Sequence, residues 1–339
     1  MPFRSIHEVA KRARVSTATV SRTLSRPDVV SPDTRRKVLR AVEDLGYAPN
    51  FAARHLRTLR SGKLLVTVPD ISNPFFSLIL QGIEDAAQRD GYAVLVGDTQ
   101  HDIKREERYA LMLMRKEADG LIFFGHRLPK PAAELVRTLA PRYAPVVSAA
   151  LSRRLGVPSV QIDNRAAAAE VLDHLYRLGH RRIALVTGPL SSPLSRDRLA
   201  GAKLQAKAER VESDFTVIEG DFSIGSGVTA AERLLGRREP PTAVFCFNDE
   251  MAMGVIETAR QRAVRVPHDL SVVGFDDIRF ARHVEPPLTT IAQPMREIGD
   301  VAVRLLLDIL AGRTMASASI TLPHALIVRS STAPAPAGR

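Results

Sequence analysis

Polar and aromatic side chains recur in this sequence where short apolar segments end. Aromatic faces cover the C–H face of a sugar ring, and Asn, Asp, Arg and Gln side chains pair with its hydroxyls in a dry cleft. The candidates of these types are Asn73, Phe75, Phe76, Arg198, Phe222, Asn248, Asp276 and Gln293. Together they indicate a binding site for a sugar or a sugar-containing molecule. We exclude Asp249, because we interpret it as the cap of the helix that follows.

A second group of side chains, near the N-terminus, is suited to contacts with base pairs. Residues 15–22 contain short polar side chains, a small alanine and an arginine; the candidates are Ser16, Thr17, Ala18, Thr19, Ser21 and Arg22. At the start of a helix, such side chains can reach base edges in the major groove, and an alanine can touch a thymine methyl. The alternative is that the serines and threonines only cap helices and form turns. The length of the run favours base contacts.

Two short helices are predicted around this run. Ser5 is followed three residues later by Glu8, which is the spacing of a capping box at a helix start. Ser16 is predicted to cap a second helix over residues 17–24. The two helices are separated by a tight turn.

A third helix is predicted over residues 33–45, with Ser31 as its cap, Pro32 at its first position and Gly46 after its end. The spacing of its apolar residues predicts a buried face made of Val38, Leu39, Val42 and Leu45. Two short helices at a tight turn with a third supporting helix are typical of a helix-turn-helix domain.

Charge is distributed unevenly along the chain. The net charge is +11, and residues 1–60 carry +8 of it, because they contain 13 lysines and arginines against 5 acids. The other 279 residues carry +3. A basic head on a nearly neutral body is typical of a protein that binds nucleic acid, although a solvated basic surface would have the same charge.

From Lys63 onward, short apolar strands alternate with amphipathic helices. A first series begins with residues 64–68, and a second begins near residues 160–162. Such alternation predicts parallel sheets covered by helices on both faces. Two consecutive doubly wound lobes would leave a cleft at the carboxyl ends of their strands, where small ligands bind. The predicted fold is therefore an all-α helix-turn-helix head plus an α/β body of two doubly wound parallel-sheet lobes.

Several classes of protein are excluded by composition and motifs. No apolar run approaches the ~18 residues that span a bilayer, and the first residues lack the apolar core of a signal peptide. The single cysteine, Cys246, cannot form an internal disulfide and is interpreted as a core residue, which favours a cytoplasmic protein without a membrane partner. No catalytic motif and no metal-ligand spacing among the nine histidines is found. We expect no enzyme activity, no metal and no cofactor.

The head resembles that of the LacI family of bacterial repressors. The resemblance covers residues 6–22, Val30-Ser31 and residues 46–50. The family's hinge helix follows in the pattern Asn50, Ala53, Leu56. The resemblance implies that this segment folds on the operator, where Leu56 is a wedge in the minor groove and Ala53 a close-approach position. A wedge costs some base unstacking and gains a kinked, better-wrapped duplex. The alternative is an interdomain linker in which Leu56 packs on the body.

The body resembles the type I periplasmic sugar-binding fold, in which the chain crosses between the lobes three times. The resemblance implies crossings near residues 161–164, 290–294 and 321–323. The implied domains are a helix-turn-helix domain (1–49), a hinge helix and linker (50–62) and a ligand-binding and dimerisation body (63–339), with lobe one at about 63–161 and 292–322 and lobe two at about 162–291 and 323–332. Residues 332–339 are expected to be a frayed tail.

The eight candidates of the cleft are similar to the sugar-binding residues of the ribose-binding proteins of that fold. One element departs, because the Asp-Arg pair that those proteins have after the fourth strand is replaced here by the segment Ser148-Ala149-Ala150-Leu151. This leaves an apolar space that a base attached to the sugar could fill. The amino-acid sequence of the body is also similar to that of the cytidine-repressor subgroup, for example at residues 68–71 and 288–299.

We therefore expect a ligand-responsive repressor that binds double-stranded operator DNA as a homodimer and binds a nucleoside or ribose-like effector between its lobes. A dimer is favoured over a tetramer because the C-terminal residues contain no leucine heptad. One alternative is a repressor that responds to another sugar. A solute-binding protein would need an export signal and no basic head, and a nucleoside-acting enzyme with a DNA-binding head would need a carboxylate or metal cluster in the cleft.

The wedge interpretation predicts that Leu56→Ala weakens specific DNA binding far more than non-specific binding. The wedge acts only at the correct central base step, whereas phosphate contacts persist on any duplex, so we expect at least about a tenfold loss on the preferred site alone. Fluorescence anisotropy titrations with a duplex selected by the protein and with a scrambled duplex, at one salt concentration, measure both affinities. Equal losses on the two duplexes would show that Leu56 is not a wedge.

Overall fold

The computed structural model describes residues 5–47, 60–139, 144–149, 155–209, 215–313 and 319–336. The chain divides into two compact units, Met1–Arg60 and Ser61–Arg339, which we call the head and the body. The predicted hinge residues Asn50, Ala53 and Leu56 lie outside the described residues, as do Ala150 and Leu151.

The described part of the head, residues 5–47, contains three α-helices, as predicted. They are α1 (Ile6–Ala13), α2 (Thr17–Ser25) and α3 (Pro32–Leu45), with a 3₁₀ helix at Pro27–Val29 before α3. The capping box is confirmed, since Ser5 accepts from the Glu8 backbone and the Glu8 carboxylate accepts from the Ser5 backbone at 2.7 Å. The Ser16 hydroxyl accepts from the Thr19 backbone at 3.1 Å and so caps α2.

Two predictions for α3 were wrong in detail. Leu39 is 44% exposed, and the buried face is made of Val38 and Ala41, with Val42 and Leu45 packed at its edge. Because successive helix residues are 100° apart, Leu39 points away from the face that Val38 buries. Ser31 is at the N-cap position but makes no cap bond, since its hydroxyl donates to the Thr34 hydroxyl.

The first lobe of the body is a six-stranded parallel sheet with helices on both faces, in the order β11-β5-β4-β3-β1-β2. Its elements are β1 (Lys63–Val68), α4 (Pro74–Arg89), β2 (Ala93–Asp98), α5 (Ile103–Met114), β3 (Gly120–Phe123), α6 (Lys130–Leu139), β4 (Val146–Ser148), β5 (Ser159–Ile162), α11 (Met295–Leu310) and β11 (Ser319–Leu322).

The second lobe is a four-stranded parallel sheet in the order β7-β6-β8-β9, next to an antiparallel pair, β10-β12. Its elements are α7 (Asn164–Arg177), β6 (Ile183–Thr187), α8 (Pro193–Ala208), β7 (Thr216–Glu219), α9 (Ile224–Leu235), β8 (Ala243–Cys246), α10 (Asp249–Gln261), β9 (Ser271–Val273), β10 (Thr290–Ala292) and β12 (Ala325–Ile327). Single bridges, Val273 to Thr289 and Asp276 to Ala292, join the pair to the sheet.

The sheets are buried on both faces, which is why their strands read as continuous apolar runs. In β1, Leu64 and Val66 belong to one apolar cluster and Leu65 to another on the opposite face. Successive strand side chains point to opposite faces, so both faces need cover from helices. The predicted α/β body is confirmed, and the carboxyl ends of the strands are left free to build a site.

The C-terminal residues, predicted to be frayed, are packed on the second lobe up to the end of the described range. The imidazole of buried His180 bonds to the Ala333 carbonyl at 3.0 Å, and the Ala335 backbone donates to Leu178 at 2.7 Å. Ser331 is fully buried; its hydroxyl donates to the Val272 carbonyl at 2.6 Å and accepts from the Thr289 backbone at 2.8 Å. Long-range hydrogen bonds therefore hold a segment whose composition suggests a loose end.

Ser331→Ala is expected to destabilise the body, because it leaves a buried carbonyl and a buried N–H without their partner. The expected loss is about 2–6 kcal/mol in the free energy of unfolding, from a penalty of about 1–3 kcal/mol for each of the two groups. Thermal or urea unfolding of the full chain measures it. Ser330→Ala, an exposed neighbour, is the matched control and should change little; similar stability of both variants would contradict the assigned role of Ser331.

Candidate functional site

A cavity of about 440 Å³ lies between the two lobes of the body. Its volume falls in the range of small-molecule sites. All eight predicted effector residues contribute to its wall: Asn73, Phe75, Phe76, Arg198, Phe222, Asn248, Asp276 and Gln293. Strand ends separated by up to 220 residues in sequence thus converge on one cleft. Their contacts with an effector remain a prediction.

Arg198 is the central polar group of the cavity. It lies on α8 and is only 4% exposed. Its guanidinium stacks on the Phe275 ring at 3.5 Å from the centroid, donates to the Asn164 amide oxygen at 2.9 Å and donates to the Phe247 carbonyl. Burial lowers the pKa of Arg198 to about 10, which leaves the side chain charged at neutral pH. These contacts hold the charge rigidly at the cavity wall.

Asp276 is the acidic counterpart of Arg198. Its Oδ1 is 3.9 Å from the Arg198 guanidinium and accepts from the Gln293 amide at 2.7 Å. Burial raises the pKa of Asp276, against the opposing effect of the Arg198 charge. Its backbone has a φ of +120°, an unusual conformation for a non-glycine residue that aims the carboxylate from the end of β9 into the cleft. The pair presents donors and acceptors side by side, which suits vicinal hydroxyls.

Aromatic rings face the cavity from both lobes. Asn73 caps α4 by accepting from the Phe75 backbone at 2.9 Å. Phe76 is 8% exposed and packs edge-on against Phe124, with centroids 5.4 Å apart, so it is mainly a core residue. Phe75 is only partly buried and is therefore the freer ring of the two for a ligand. Phe222, at φ +72°, provides the ring of the second lobe.

Gly188 makes room for the Phe222 ring. A Cβ on Gly188 would overlap that ring, so no larger residue fits behind it. The glycine at the end of β6 therefore decides where the aromatic wall of the second lobe lies, a role that the sequence analysis did not assign.

The predicted roles of Asn248 and Asp249 are partly exchanged. Asn248 is the cap of α10: its Oδ1 accepts from the Met251 backbone at 3.0 Å, and its amide donates to the Phe222 carbonyl at 2.8 Å. Asp249 is fully buried and accepts from the Thr290 hydroxyl at 2.6 Å and the Ile278 backbone at 2.8 Å. Asn and Asp are equally good caps, so sequence alone could not choose between them. Asn248 positions Phe222 while it lines the cavity.

The cavity wall also includes residues that the sequence analysis missed, among them Asp70, Gln100, His101, His126, Asn164, Ser192 and Asp221. Several follow strand ends, so the same positional signal would have found them. Among the described residues, no group of three or more His, Cys, Asp or Glu side chains could hold a metal ion. Cys246 is buried, and burial raises the pKa of its thiol.

In the head, the predicted base-reading residues divide into two kinds. The Ser16 and Thr19 hydroxyls are 2.9 Å apart and form the cap of α2. Ala18 and Arg22 are exposed and lie on the side of α2 opposite buried Val20, while Thr17 and Ser21 are partly buried at its edges. The helix thus presents polar side chains and an arginine outward and buries its apolar side in the head.

A helix-turn-helix head followed by a two-lobed body with a small-molecule cleft defines the class of ligand-responsive, DNA-binding transcriptional regulators. Residues 5–50 match the bacterial regulatory proteins of the lacI family, and residues 172–332 match the periplasmic binding protein-like domain. The chain is 41% identical to the HTH-type transcriptional repressor CytR of Escherichia coli (strain K12) over 331 residues, which cover 97% of this chain and 96% of that protein. The chain belongs to the LacI family.

Solved structures agree with this assignment. A lac repressor dimer bound to operator and the anti-inducer ONPF matches with a TM-score of 0.87 and 30% identity, covering 98% of this chain and 99% of that one. A LacI family regulator from Enterococcus faecium with bound ribose matches with a TM-score of 0.72 and 29% identity, covering 80% and 99%. These relatives are transcriptional regulators and not enzymes, in agreement with the expected function. No helix among the described residues is long and apolar enough to cross a membrane.

Asp70 and Glu250 are carboxylates of different lobes whose charges repel each other. Asp70 follows β1 in the first lobe, and Glu250 is on α10 in the second. Burial, together with repulsion from Asp70, raises the pKa of Glu250 to about 7. The folded protein therefore binds this proton more tightly than the unfolded chain does, and the free energy of unfolding falls as pH rises from about 4.5 to about 7.

Glu250→Gln should remove this pH dependence. We expect the variant to resemble the wild type near pH 5 and to be more stable at pH 8 by about 1 kcal/mol, a value reduced for the partial exposure of the side chain. Thermal unfolding at both pH values measures the difference. The matched control is Glu257→Gln on the same helix: Arg260 lowers the pKa of Glu257 to about 2, so this variant should gain nothing at pH 8. A gain in both variants would contradict the raised pKa assigned to Glu250.

Proposed function

We propose that this regulator is a cytoplasmic homodimeric repressor whose effector is a nucleoside or a ribose-like sugar. The observation that carries the proposal is the buried pair of Arg198 and Asp276, which are 3.9 Å apart in the wall of a cleft that also holds aromatic rings. Paired charged donors and acceptors recognise sugar hydroxyls strongly, because in a dry site such hydrogen bonds compete with no water. The E. faecium regulator with bound ribose supports a pentose in such a cleft.

A nucleoside is favoured over a free pentose by the composition of the wall near β4. Ser148 and Ala149 are buried, and Ala149 lines the cavity. The Asp-Arg pair that the ribose-binding resemblance would place in this segment is absent from the sequence. A small apolar side chain leaves room and no unpaired charge, which suits a flat base attached to the sugar. The resemblance of residues 68–71 and 288–299 to the cytidine-repressor subgroup supports the same class of effector.

The DNA-binding part of the proposal rests on the head. Its net charge is +8, and α2 presents Arg22 and short polar side chains outward. A dimer would place two such helices on two half-sites, with Leu56 of each hinge between them. The lac repressor structure, a dimer bound to operator, supports this arrangement. An effector that changes the angle between the lobes would change DNA affinity, and DNA would change effector affinity by the same factor.

Arg198→Ala and Asp276→Ala should each abolish the effector response and leave DNA binding nearly intact. Each removes charge-assisted hydrogen bonds worth about 1.5–3 kcal/mol, which is about a ten- to hundredfold loss of effector affinity. Calorimetric titration of the full chain with cytidine, adenosine and ribose measures that affinity. Arg260→Ala, at an exposed position of α10, is the control and should bind like the wild type.

The titration of the wild type decides between the two effector classes. Binding of cytidine or adenosine supports a nucleoside, and binding of ribose alone supports a free pentose. If neither nucleosides nor ribose bind and a hexose does, the response is to another sugar and the proposed effector class is wrong.

A further inference from the structure

Two buried polar atoms in the wall of the cleft have no hydrogen-bond partner among the described residues. One is Nδ1 of His126 in the first lobe, and the other is Oγ of Ser192 in the second. An unpaired buried polar atom costs about 1–3 kcal/mol, and such atoms are rare in native structures. Two of them lining one cavity indicate that a ligand supplies their partners.

The imidazole of His126 is held in a fixed orientation. It follows β3 by three residues and stacks on His101, with ring centroids 6.0 Å apart and planes 25° from parallel. Burial lowers the pKa of His126, and the nearby charges of Arg196 and Arg127 lower it further. The ring is therefore neutral at pH 7, so that one nitrogen donates a hydrogen bond and the other accepts one.

Ser192 lies at the start of α8. It is fully buried and occupies the N-cap position, yet its side chain makes no cap hydrogen bond. The Ser192 hydroxyl is therefore free to donate and to accept, beside the positive end of a 16-residue helix.

His126 and Ser192 line the cavity from different lobes. Arg196 lies one turn after Ser192 on α8, and its charge acts on the His126 imidazole. Arg198 lies six residues after Ser192, which is about 9 Å along the helix axis. Ser192 is thus displaced along α8 from Arg198, on the same stretch of helix as the charge that acts on His126.

We propose that His126 and Ser192 form a second subsite in the cleft, which hydrogen-bonds the heterocyclic base of a nucleoside while Arg198 and Asp276 hold its sugar. This inference rests on the proposed function. Nucleobase edges present donors and acceptors side by side, and a neutral imidazole next to a hydroxyl offers the complementary groups. Because the two residues belong to different lobes, a base bound to both would tie the lobes together, which a free pentose on Arg198 and Asp276 would do less well.

The test compares cytidine and ribose binding to the full chain by calorimetry. Ser192→Ala and His126→Phe, which removes the ring nitrogens and keeps a planar ring, should each weaken cytidine binding about tenfold or more and change ribose affinity less than about twofold. His126→Asn, which keeps a polar group near the position of Nδ1, should recover part of the cytidine affinity. Ser191→Ala and His283→Phe, both at exposed positions, are the matched controls and should bind both ligands normally.

A second readout separates binding from a structural role. Because the Ser192 hydroxyl has no partner in the described protein, Ser192→Ala should not lower the unfolding temperature of the ligand-free chain, while the rise in that temperature caused by cytidine should shrink. A lower unfolding temperature with unchanged cytidine affinity, or equal losses for cytidine and ribose, would overturn the subsite. Ribose binding without nucleoside binding would overturn it and leave the sugar site standing. Binding of neither would reject the proposed effector class itself.

Discussion

One buried positive charge governs the architecture of the cleft. The Arg198 guanidinium is almost completely removed from water, which costs several kcal/mol unless its donors are satisfied. Its partners come from separate elements: Asn164 at the start of α7, the Phe247 carbonyl after β8 and the Phe275 ring after β9. The need to satisfy this charge therefore draws three strand or helix ends to one point. The remaining acceptor, Asp276, is 3.9 Å away and leaves room for a ligand that can bond to both groups.

Acidic side chains outnumber the Arg198 guanidinium in and around the cleft. Burial and repulsion from Asp276 raise the pKa of Asp249, and burial and repulsion from Asp70 raise the pKa of Glu250. Thr290, Ile278 and Gln293 donate hydrogen bonds that partly compensate this excess of carboxylates. A ligand rich in hydroxyl donors would compensate it further, whereas an anionic ligand would add to the repulsion. The electrostatics of the cleft thus favour a neutral polyol portion, in agreement with a nucleoside without phosphate.

Sequence reasoning found the site because the fold itself determines where strand ends meet. Alternation of apolar strands and helices predicts parallel sheets, and the polar or aromatic residues after each strand must then lie at the edge where the ligand binds; Phe222, Asn248 and Asp276 were found in this way. The features that sequence reasoning missed depend on contacts between residues that are distant in sequence. The packed C-terminal segment is held by His180, about 150 residues away, and the missing partners of His126 and Ser192 are visible only once both lobes are in place. The exposure of Leu39 was a simpler error, since one helix position separates it from the buried face.

The way in which helices pack within each lobe explains why an effector would act on the angle between lobes. In the first lobe, α4 and α11 touch at backbone level, because a Cβ on Gly82 would overlap the Arg296 carbonyl and one on Gly299 the Ile79 carbonyl. In the second lobe, α9 and α10 meet in the same way at Gly227 and Gly254. Helices in such close contact cannot slide without backbone overlap, so each lobe resists internal deformation. A ligand that touches both lobes then changes the conformation of the segments that join them, because the lobes themselves resist deformation. An effector that contacts Arg198 alone would bind without closing the cleft, because only differential contacts between two states can shift their populations.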